Sequence, residues 1–502
     1  MKKLALLFVT LFLISCSKNE ETLEFIVINV NDIYEIDALG GGKVGGLARV
    51  ATLYDSIKKE NKNTLLVHGG DFLNPSLLGT LKDENGERYK GKQMIEVMNM
   101  VGFDLVAFGN HEFDLAYPDF QKRLDESEFQ WIGTNIKLKV GDKLAPFYVE
   151  KNGTKTAIPK TVTYNFKDDD GTEISVGFLS STINSTPNDY VDYGDLYQDP
   201  INVNKALQSK VDLVLGLTHL TIAQDKMLAN SMPNIPIIFG GHEHTNMMVP
   251  VGDAVISKAD ANARTAYVHK ITFNKSTKKT TIQSELVKLN ESVVPSKKVT
   301  RIVQQWNVLL DNKLKLILDD PYMVVFNAKT PLDGRDTETR SIQTNLGQLI
   351  AASMSANFDD KVDCAFLNGG SIRIDDELVG DITGVDIFRV LPFGGGINKV
   401  EMTGLLLEKT LNYGRLKAGT GAYLQHHNIE YNIESKTWKV GGKPINIDKT
   451  YTVVLTDYLL LGFDIPFLKA ESEGVLKVFD NKLEDPASDI RKVVINYLKD
   501  SN

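Results

Sequence analysis

Residues 109–114 bring together side chains that can bind metal ions or carry protons. Asn110, His111 and Asp114 lie in this stretch, which follows an apolar run at residues 103–108. Ligands of open α/β sheets bind just beyond the carboxyl ends of the strands, so this position favours a functional site. The alternative is a capped turn in which the Asn and Asp side chains satisfy nearby backbone groups. The residues that follow the other predicted strands distinguish between these two interpretations.

Five predicted strands in the N-terminal half are each followed by residues of metal-binding type. The strands are expected at residues 25–30, 64–67, 103–108, 211–217 and 235–239. The residues that follow them are, in order, Asp32, Asp71, Asn110 with His111, His219, and His242 with His244. Strands that alternate with helices predict a sheet covered by helices on both faces, and its adjacent strand ends would meet at one edge. One metal site explains all five strand ends, whereas local caps or turns would have to explain each one separately.

The mixture of imidazole and carboxylate groups indicates which metals would bind. Such ligands suit zinc, manganese or iron better than magnesium or calcium. A carboxylate such as that of Asp71 can bridge two ions. Two ions roughly 3.5–4 Å apart can activate a bridging hydroxide and clamp a phosphoryl group for in-line displacement. The sequence therefore predicts two divalent ions whose identity is left open.

The composition is that of a soluble globular protein with more than one domain. The chain has 502 residues, of which 42% are apolar and 24% are charged, and its net charge is −9. A chain of this length exceeds one ordinary hydrophobic core. It has no basic block long enough for a nucleic-acid surface. We therefore expect no nucleic-acid partner, and both a monomer and a dimer are compatible with the sequence.

The first residues have the pattern of a bacterial export signal. Lys2 and Lys3 precede an apolar segment at residues 4–14, which is too short to span a bilayer as a permanent helix. Residues 13–16 resemble a bacterial lipoprotein box, which implies cleavage before Cys16 and lipidation of its thiol. The alternative is an ordinary secretory signal with an incidental cysteine. We expect an exported protein whose only membrane contact is a lipid anchor in the bacterial outer membrane, at the periplasmic or the cell-surface face.

The C-terminal half contains glycine-rich loops with arginine and aromatic residues. Residues 286–300 lose strand periodicity, and residues 301–318 have the apolar spacing of an amphipathic helix that could connect two domains. Glycines allow a close backbone approach, arginines form forked hydrogen bonds to phosphate, and aromatic faces can stack on a nucleobase. Each feature also has an ordinary interpretation, because most arginines are solvated and most phenylalanines beside glycines are core residues.

Taken together, the ordered motifs resemble the calcineurin-like metallophosphoesterases, and more narrowly the bacterial and animal 5′-nucleotidase family. The motifs are Asn31-Asp32, Gly70-Asp71, residues 109–114, Thr218-His219, residues 240–244, residues 368–373 and residues 392–394. The resemblance implies an α/β chain, α+β overall, with an N-terminal four-layer α/β/β/α sandwich, a connecting helix and a smaller α/β substrate-binding domain. The implied boundaries are 1–16 for the signal through the lipidated cysteine, 17–23 for a tether, 24–294 for the metallophosphoesterase domain, 295–324 for the linker and 325–502 for the nucleotide-binding domain.

The resemblance also implies roles for individual residues. The first metal would be held by Asp32, Asp71 and His244, and the second by Asp71, Asn110, His219 and His242. His111 and Asp114 would form a catalytic pair, in which the imidazole stabilises the transferring phosphoryl group or protonates the leaving oxygen. Glu112 and Phe113 would be structural.

In the C-terminal half, the implied substrate-binding residues are Arg340, Asn368 and Arg373 for phosphate or ribose, Phe393 and Tyr458 around the base, and Asp464 for the ribose hydroxyls. Two departures from the family pattern bear on these roles. Tyr34 stands where the family has a histidine, and neutral tyrosine is a poor zinc ligand. Phe463 replaces a glycine before Asp464.

The implied activity is metal-dependent hydrolysis of nucleoside 5′-monophosphates to nucleoside and phosphate by a hydroxide that two metal ions activate. Other nucleotides are further candidate substrates. A nucleotide-sugar hydrolase or cyclic-nucleotide phosphodiesterase on the same scaffold is one alternative. A nucleotide-binding surface lipoprotein with weak catalysis is another, and Tyr34 and Phe463 favour it. The resemblance also implies rotation of one domain against the other, with the helix at residues 301–318 as the hinge.

Overall fold

A computed structural model describes residues 21–358, 362–479 and 485–500. The predicted signal segment, Cys16 and most of the tether lie outside the described residues. Within those ranges, no helix combines the length and the apolar character needed to cross a bilayer.

The N-terminal half is built on two six-stranded sheets. The first sheet contains, in spatial order, Lys279–Lys288, Thr265–Asn274, Thr22–Val30, Thr64–His68, Leu105–Ala107 and Gln130–Ile132. The second contains Met247–Val251, Ala254–Lys258, Ile237–Gly241, Leu213–His219, Glu173–Thr182 and Thr161–Lys167. Four neighbouring strands in each sheet are parallel, so their carboxyl ends point the same way.

The two sheets pack face to face through a buried apolar layer. Val27 and Leu105 of the first sheet share this layer with Phe178, Leu215 and Phe239 of the second. The strands therefore lie in two sheets rather than in the single sheet that alternation with helices predicts. Strands covered on both faces are apolar throughout, and such a pattern does not distinguish a covering helix from a covering sheet.

Helices cover the outer face of each sheet. The first sheet is covered by Leu47–Glu60, Lys92–Val101, Tyr117–Glu126 and Lys297–Leu314, and the second by Gln198–Leu207 and Ile222–Ser231. The four-layer α/β/β/α sandwich that the resemblance implies is thus confirmed. Smaller elements join the layers: the helices Leu39–Gly42 and Leu77–Thr80, the 3-10 helix His111–Asp114, and the strands Ile136–Val140, Lys143–Ala145, Tyr148–Lys151, Thr154–Ala157 and Val191–Tyr193.

The connecting helix Lys297–Leu314 contacts both halves of the chain. Val299, Val303 and Trp306 pack into the core on the outer face of the first sheet. Leu314, at the end of the helix, belongs to the core of the C-terminal half. Most of the helix is therefore anchored to the N-terminal half.

The C-terminal half is built around a five-stranded mixed sheet. Its strands are, in spatial order, Leu424–His427, Cys364–Asn368, Thr450–Thr456, Ile397–Thr403 and Val475–Val478. One face is covered by the helices Asn345–Ala356, Gly384–Val390 and Ile490–Asp500, and the other by Gly404–Leu416 and Asp457–Leu460. The remaining elements are the paired strands Val324–Asp333 and Glu377–Thr383, the strands Ile429–Asn432, Thr437–Val440 and Lys443–Pro444, the helix Asp336–Thr339, and the 3-10 helices Gly369–Ser371 and Pro486–Ser488.

Candidate active site

Strand ends from both sheets of the N-terminal half meet at one edge. The side-chain atoms of Asp32, Asp71 and His219, all buried, lie within 4.8 Å of one another. His219 Nε2 is 3.1 Å from Asp71 Oδ2 and 4.0 Å from Asp32 Oδ1. His244 Nε2 is 3.5 Å from Asp32 Oδ1, and the His242 ring centroid is 5.3 Å from that of His219. These distances show that five of the six predicted metal ligands lie close together in the structure.

The backbone at these loops is bent sharply. Asp32, Asp71 and His242 have φ angles of 53°, 65° and 84°, in a region that side chains other than glycine seldom adopt. Gly109 allows its loop to lie close to Asp71, because a Cβ atom at residue 109 would be 2.0 Å from Asp71 Oδ1. Unusual backbone conformations of this kind cluster at functional sites.

Hydrogen bonds hold one side of three predicted metal ligands, His219, Asp32 and Asp71. His219 Nδ1 donates to the carbonyl of Gly69 at 2.7 Å, which directs Nε2 towards the two aspartates. Asp32 Oδ2 accepts from Asn31 Nδ2 at 2.7 Å and from the backbone N–H of His242 at 2.9 Å. Asp71 Oδ1 accepts from the backbone N–H of His111 at 2.7 Å. The ligands are therefore held in place before any ion binds.

Three buried atoms at this edge have no hydrogen-bond partner: Asp32 Oδ1, Asn110 Oδ1 and His219 Nε2. Buried polar atoms are nearly always paired, so three electron-pair donors without partners require an explanation. Burial lowers the pKa of His242 to about 4, which leaves its imidazole neutral and able to bind a metal. These donors fit divalent cations of the zinc, manganese or iron type.

Tyr34 lies beside this group without the properties of a good metal ligand. Its hydroxyl oxygen is 3.4 Å from Asp71 Oδ2, 3.3 Å from His244 Nε2 and 3.2 Å from Asp375 Oδ2. Burial and the nearby carboxylates raise the pKa of Tyr34 well above its usual value, so the phenol stays neutral. Tyr34 is therefore a hydrogen-bonding neighbour of the expected first metal position.

His111 and Asp114 form a hydrogen-bonded pair. Asp114 Oδ2 lies 2.8 Å from His111 Nδ1. Burial opposes a charge on His111, but Asp114 and Asp71 outweigh it and raise its pKa to about 10. The same carboxylate oxygen accepts from Arg373 Nη2 and from Asn74 Nδ2, each at 2.5 Å. Arg373 belongs to the C-terminal half, so the pair lies at the junction of the two halves.

The other predicted substrate-binding residues lie in the C-terminal half. Asn368 Nδ2 donates to Asp464 Oδ2 at 2.7 Å, and the Tyr458 hydroxyl is 3.2 Å from Asp464 Oδ1. Arg340 Nη2 pairs with Asp336 Oδ1 at 2.8 Å. These contacts bring Asn368, Tyr458 and Asp464 together.

The predicted stacking of a base between two rings is not preformed. Phe393 is 52% exposed and Tyr458 is 40% exposed. Both residues are described, yet no ring contact joins them; Tyr458 instead lies against Phe463, with ring centroids 5.5 Å apart.

Two further residues of the site were not predicted. Glu112 accepts hydrogen bonds from the backbone N–H groups of Asp71, Phe72, Leu73 and Gly109 at 2.6–3.3 Å, so it holds two ligand loops together. Its position between two predicted site residues was the available signal. Asp375, in the C-terminal half, contacts Tyr34 and His244 in the N-terminal half, and no local sequence motif predicts these contacts.

Comparisons with known proteins agree with this architecture. Residues 26–246 match the family model of calcineurin-like phosphoesterases, and residues 324–470 match that of the 5′-nucleotidase C-terminal domain. The chain is 28% identical over 463 residues to a trifunctional nucleotide phosphoesterase of Bacillus subtilis, in a match that covers 83% of this chain and 31% of that protein. It is also 28% identical over 476 residues to the 5′-nucleotidase of Rattus norvegicus, covering 84% and 78% of the two chains.

A solved structure shares the whole architecture. The crystal structure of a 5′-nucleotidase precursor from Thermus thermophilus superposes with a TM-score of 0.68 at 20% identity, covering 95% of this chain and 97% of that one. At this identity the likeness establishes the fold alone. With both family models matched in order on that fold, the chain belongs to the 5′-nucleotidase family of calcineurin-like phosphoesterases and is a hydrolase that acts on phosphoric ester bonds.

Proposed function

We propose that this protein hydrolyses nucleoside 5′-monophosphates to a nucleoside and inorganic phosphate. The observation that carries the proposal is the bond between Arg373 and Asp114. It joins a residue expected to bind phosphate to the catalytic pair, next to a group of buried metal-type donors. A phosphate ester bound at this junction would face both His111 and the loops that carry the predicted metal ligands.

The protein groups can bind the phosphate and move a proton. His111 is expected to carry its proton at neutral pH, because its pKa is about 10. Its Nε2 would stabilise the transferring phosphoryl group or protonate the leaving ribose oxygen, while Asp114 holds Nδ1 and fixes the ring. Arg373 and Arg340 would bind phosphate or ribose oxygens through their forked guanidinium groups.

The metal ligands complete the proposed site. Asp32, Asp71 and His244 would hold one divalent ion, and Asp71, Asn110, His219 and His242 would hold a second. When bound, such ions supply positive charge to the phosphoryl oxygens and lower the pKa of water. The neutral Tyr34 is proposed as a neighbour of the first ion rather than as its ligand.

The nucleoside would bind to the C-terminal half. Asn368 and Asp464 would hold the ribose, and Phe393 and Tyr458 would contact the base from two sides. Since the two rings do not meet and Phe463 covers Tyr458, base binding requires a local rearrangement.

We propose the boundaries 24–294, 295–324 and 325–502 for the metal domain, the linker and the nucleotide domain. We also propose export with a lipid anchor at Cys16.

The experiment that tests the proposal is a substrate panel with the purified chain. AMP, UMP, a cyclic nucleotide and UDP-glucose would each be incubated with zinc, manganese or cobalt, and released phosphate would be measured. We expect phosphate from the nucleoside monophosphates. If no monophosphate releases phosphate with any metal, the proposal is wrong.

A second candidate function is a diesterase or nucleotide-sugar hydrolase. Such substrates carry a second substituent on the phosphate, and the relative from Bacillus subtilis is named a trifunctional nucleotide phosphoesterase. Cleavage of UDP-glucose or of the cyclic nucleotide in the same panel would support it. A third candidate, a nucleotide-binding protein with weak catalysis, predicts a low metal content in the purified chain.

A further inference from the structure

The first predicted metal position would have three protein ligands. Asp32, Asp71 and His244 are the charged or imidazole ligands expected there, and Tyr34 places a hydroxyl group beside Asp71 and His244. A four-coordinate ion with three protein ligands leaves one position open, and the groups around that position control how tightly the ion is held. The surroundings of His244 therefore matter for this position.

Asp375, on the loop that follows Arg373, surrounds His244 on two sides. Its main-chain carbonyl lies 2.5 Å from His244 Nδ1, and its carboxylate oxygen Oδ2 lies 3.2 Å from His244 Nε2. The same oxygen is 3.2 Å from the hydroxyl of Tyr34 and 3.8 Å from His111 Nε2. A residue of the C-terminal half thus contacts a metal ligand, Tyr34 and the catalytic imidazole.

The carbonyl contact has a counterpart at the other metal position. His219 Nδ1 donates to the carbonyl of Gly69, which lies in the same half of the chain. His244 Nδ1 has the equivalent bond to a carbonyl of the opposite half. Such a bond fixes the tautomer, so that Nε2 carries the lone pair that binds a metal. His244 is therefore oriented for metal binding only while the two halves are in contact.

Asp375 is itself held firmly. It is 7% exposed, its φ angle is 46°, and its Oδ1 accepts from the backbone N–H of Asp336 at 2.7 Å. The next residue, Asp376, turns away and pairs with Arg264 at 2.6 Å. The carboxylate of Asp375 is consequently fixed beside the metal position rather than free to move in solvent.

We propose that Asp375 is a positioning residue that completes the first metal position from the C-terminal half. Its carbonyl orients His244, and its carboxylate places a negative charge beside the side chains of His244 and Tyr34. The inference rests on the proposed function, because the two metal positions are part of that proposal. It adds that metal affinity at the first position is linked to the contact between the halves.

The test is metal binding by the full chain with Asp375→Asn, which keeps the shape and tolerates the left-handed backbone while removing the charge. Mn²⁺ and Zn²⁺ alone would be titrated by calorimetry, and the metal-to-protein ratio would be measured after dialysis. We expect the affinity of one of the two sites to fall about tenfold or more, as for other groups that support metal ligands, with the second site unchanged.

Asp376→Asn is the matched control, because it removes a neighbouring carboxylate that joins the halves through Arg264 and Asn262, whereas Asp375 contacts His244 directly. We expect less than about a threefold change in either affinity. Equal losses of affinity in the two variants would overturn the inference. A general loosening of the contact between the halves would then explain both losses without a specific role for Asp375. Unchanged binding in Asp375→Asn would also overturn it, while nucleotide hydrolysis by the wild type would leave the proposed function intact. A wild type that binds neither metal would overturn both.

Tyr34→Phe provides an independent measurement, because it removes the hydroxyl that contacts Asp375 and keeps the buried ring. Residues that act through one network have effects that do not add. The double variant Tyr34→Phe with Asp375→Asn is therefore expected to lose little more affinity than Asp375→Asn alone. Fully additive losses would contradict the inference.

Discussion

His111 lies between carboxylates from both halves of the chain. Asp114 is 2.8 Å from Nδ1, while Asp375 and Asp336 of the C-terminal half are 3.8 and 3.9 Å from Nε2. A positive imidazole is favoured in these surroundings, which suits a group that stabilises negative charge on a phosphoryl group. No role as a metal ligand is expected for it, so its loss should separate catalysis from metal binding.

Replacement of His111 by Asn is expected to lower kcat by about 10²- to 10⁴-fold, the usual contribution of a general acid. The metal content should stay at the wild-type level, because the predicted ligands are untouched. Steady-state kinetics on a nucleoside monophosphate and elemental analysis of the same sample check the two parts. A fall of less than tenfold in kcat would show that His111 is not the proton donor.

At the scale of elements, the strand Ala254–Lys258 ends in a lysine that is completely buried. Lys258 Nζ donates to the carbonyls of Leu220 and Gly241 at 2.5 and 2.8 Å, and it pairs with Asp225 at 2.8 Å and with Glu243. Burial opposes the charge of Lys258, but the two carboxylates keep its pKa above the usual value. The lysine thereby joins the loops that carry the predicted histidine ligands.

Replacement of Lys258 by Met should destabilise the fold by about 3–5 kcal/mol, because it leaves the buried carboxylate of Asp225 and the partly buried carboxylate of Glu243 without their partner. The free energy of unfolding in urea measures the loss. Lys270→Met is the control, since Lys270 forms a half-exposed pair with Glu24 and its loss should change stability by less than about 0.5 kcal/mol. Similar effects in the two variants would contradict a special role for the buried network.

The strand Thr265–Asn274 carries a buried histidine that should make stability depend on pH. Burial lowers the pKa of His269 to about 3, and its ring nitrogens contact the hydroxyls of Ser257 and Ser284 at 3.0 and 2.8 Å. An unfolded histidine has a pKa of about 6.5. Between these values the unfolded chain binds a proton that the native state does not, so stability falls as the pH decreases from 6.5 towards 3.

His269→Gln removes this titration. The slope of the unfolding free energy against pH, measured between pH 6.5 and 4, should become flatter by up to about 1.4 kcal/mol per pH unit. Above about pH 8 the slopes of wild type and variant should coincide, because His269 binds almost no proton there in either the folded or the unfolded state. An unchanged slope in the acidic range would mean that His269 takes up its proton in the folded state.

At the scale of the whole molecule, ion pairs join the two halves around the site. Arg264 pairs with Asp376 at 2.6 Å, and Arg389 pairs with Glu35 at 2.8 Å. The helix Lys297–Leu314 packs mainly on the N-terminal half. Rotation of the halves, which remains a prediction, would therefore bend the chain after Leu314 rather than within the helix.

Neutralising both contacts with Glu35→Gln and Asp376→Asn should loosen the junction. Each charged hydrogen bond contributes about 1–3 kcal/mol. Amide hydrogen exchange at residues 372–378 should accelerate, while the cores of the two halves keep their protection. Glu24→Gln, within the N-terminal half, serves as the control and should leave this exchange unchanged. Equal exchange in all three proteins would show that these pairs do not hold the halves together.

Local patterns were enough to predict the strands that precede the metal-type residues and the loops that carry those residues. Asp32, Asp71 and His219 were predicted because each follows an apolar strand directly, and the structure brings their side chains within 4.8 Å. The roles assigned to the predicted site residues and the domain boundaries remain predictions. The division of the strands between two sheets had no local signal, because both kinds of covering layer bury the same apolar side chains.

The sequence by itself determined the fold class, the family resemblance and the position of the metal-type residues, since these depend on residue type and on spacing along one strand and its loop. Only the tertiary structure decided how the halves meet. Asp375 contacts His244 across 131 residues, and Arg373 contacts Asp114 across 259. Contacts at such separations are set by the packing of whole layers, which no short pattern records. Tyr34 departs from the family pattern in the sequence. In the structure its hydroxyl contacts Asp71 of the N-terminal half and Asp375 of the C-terminal half.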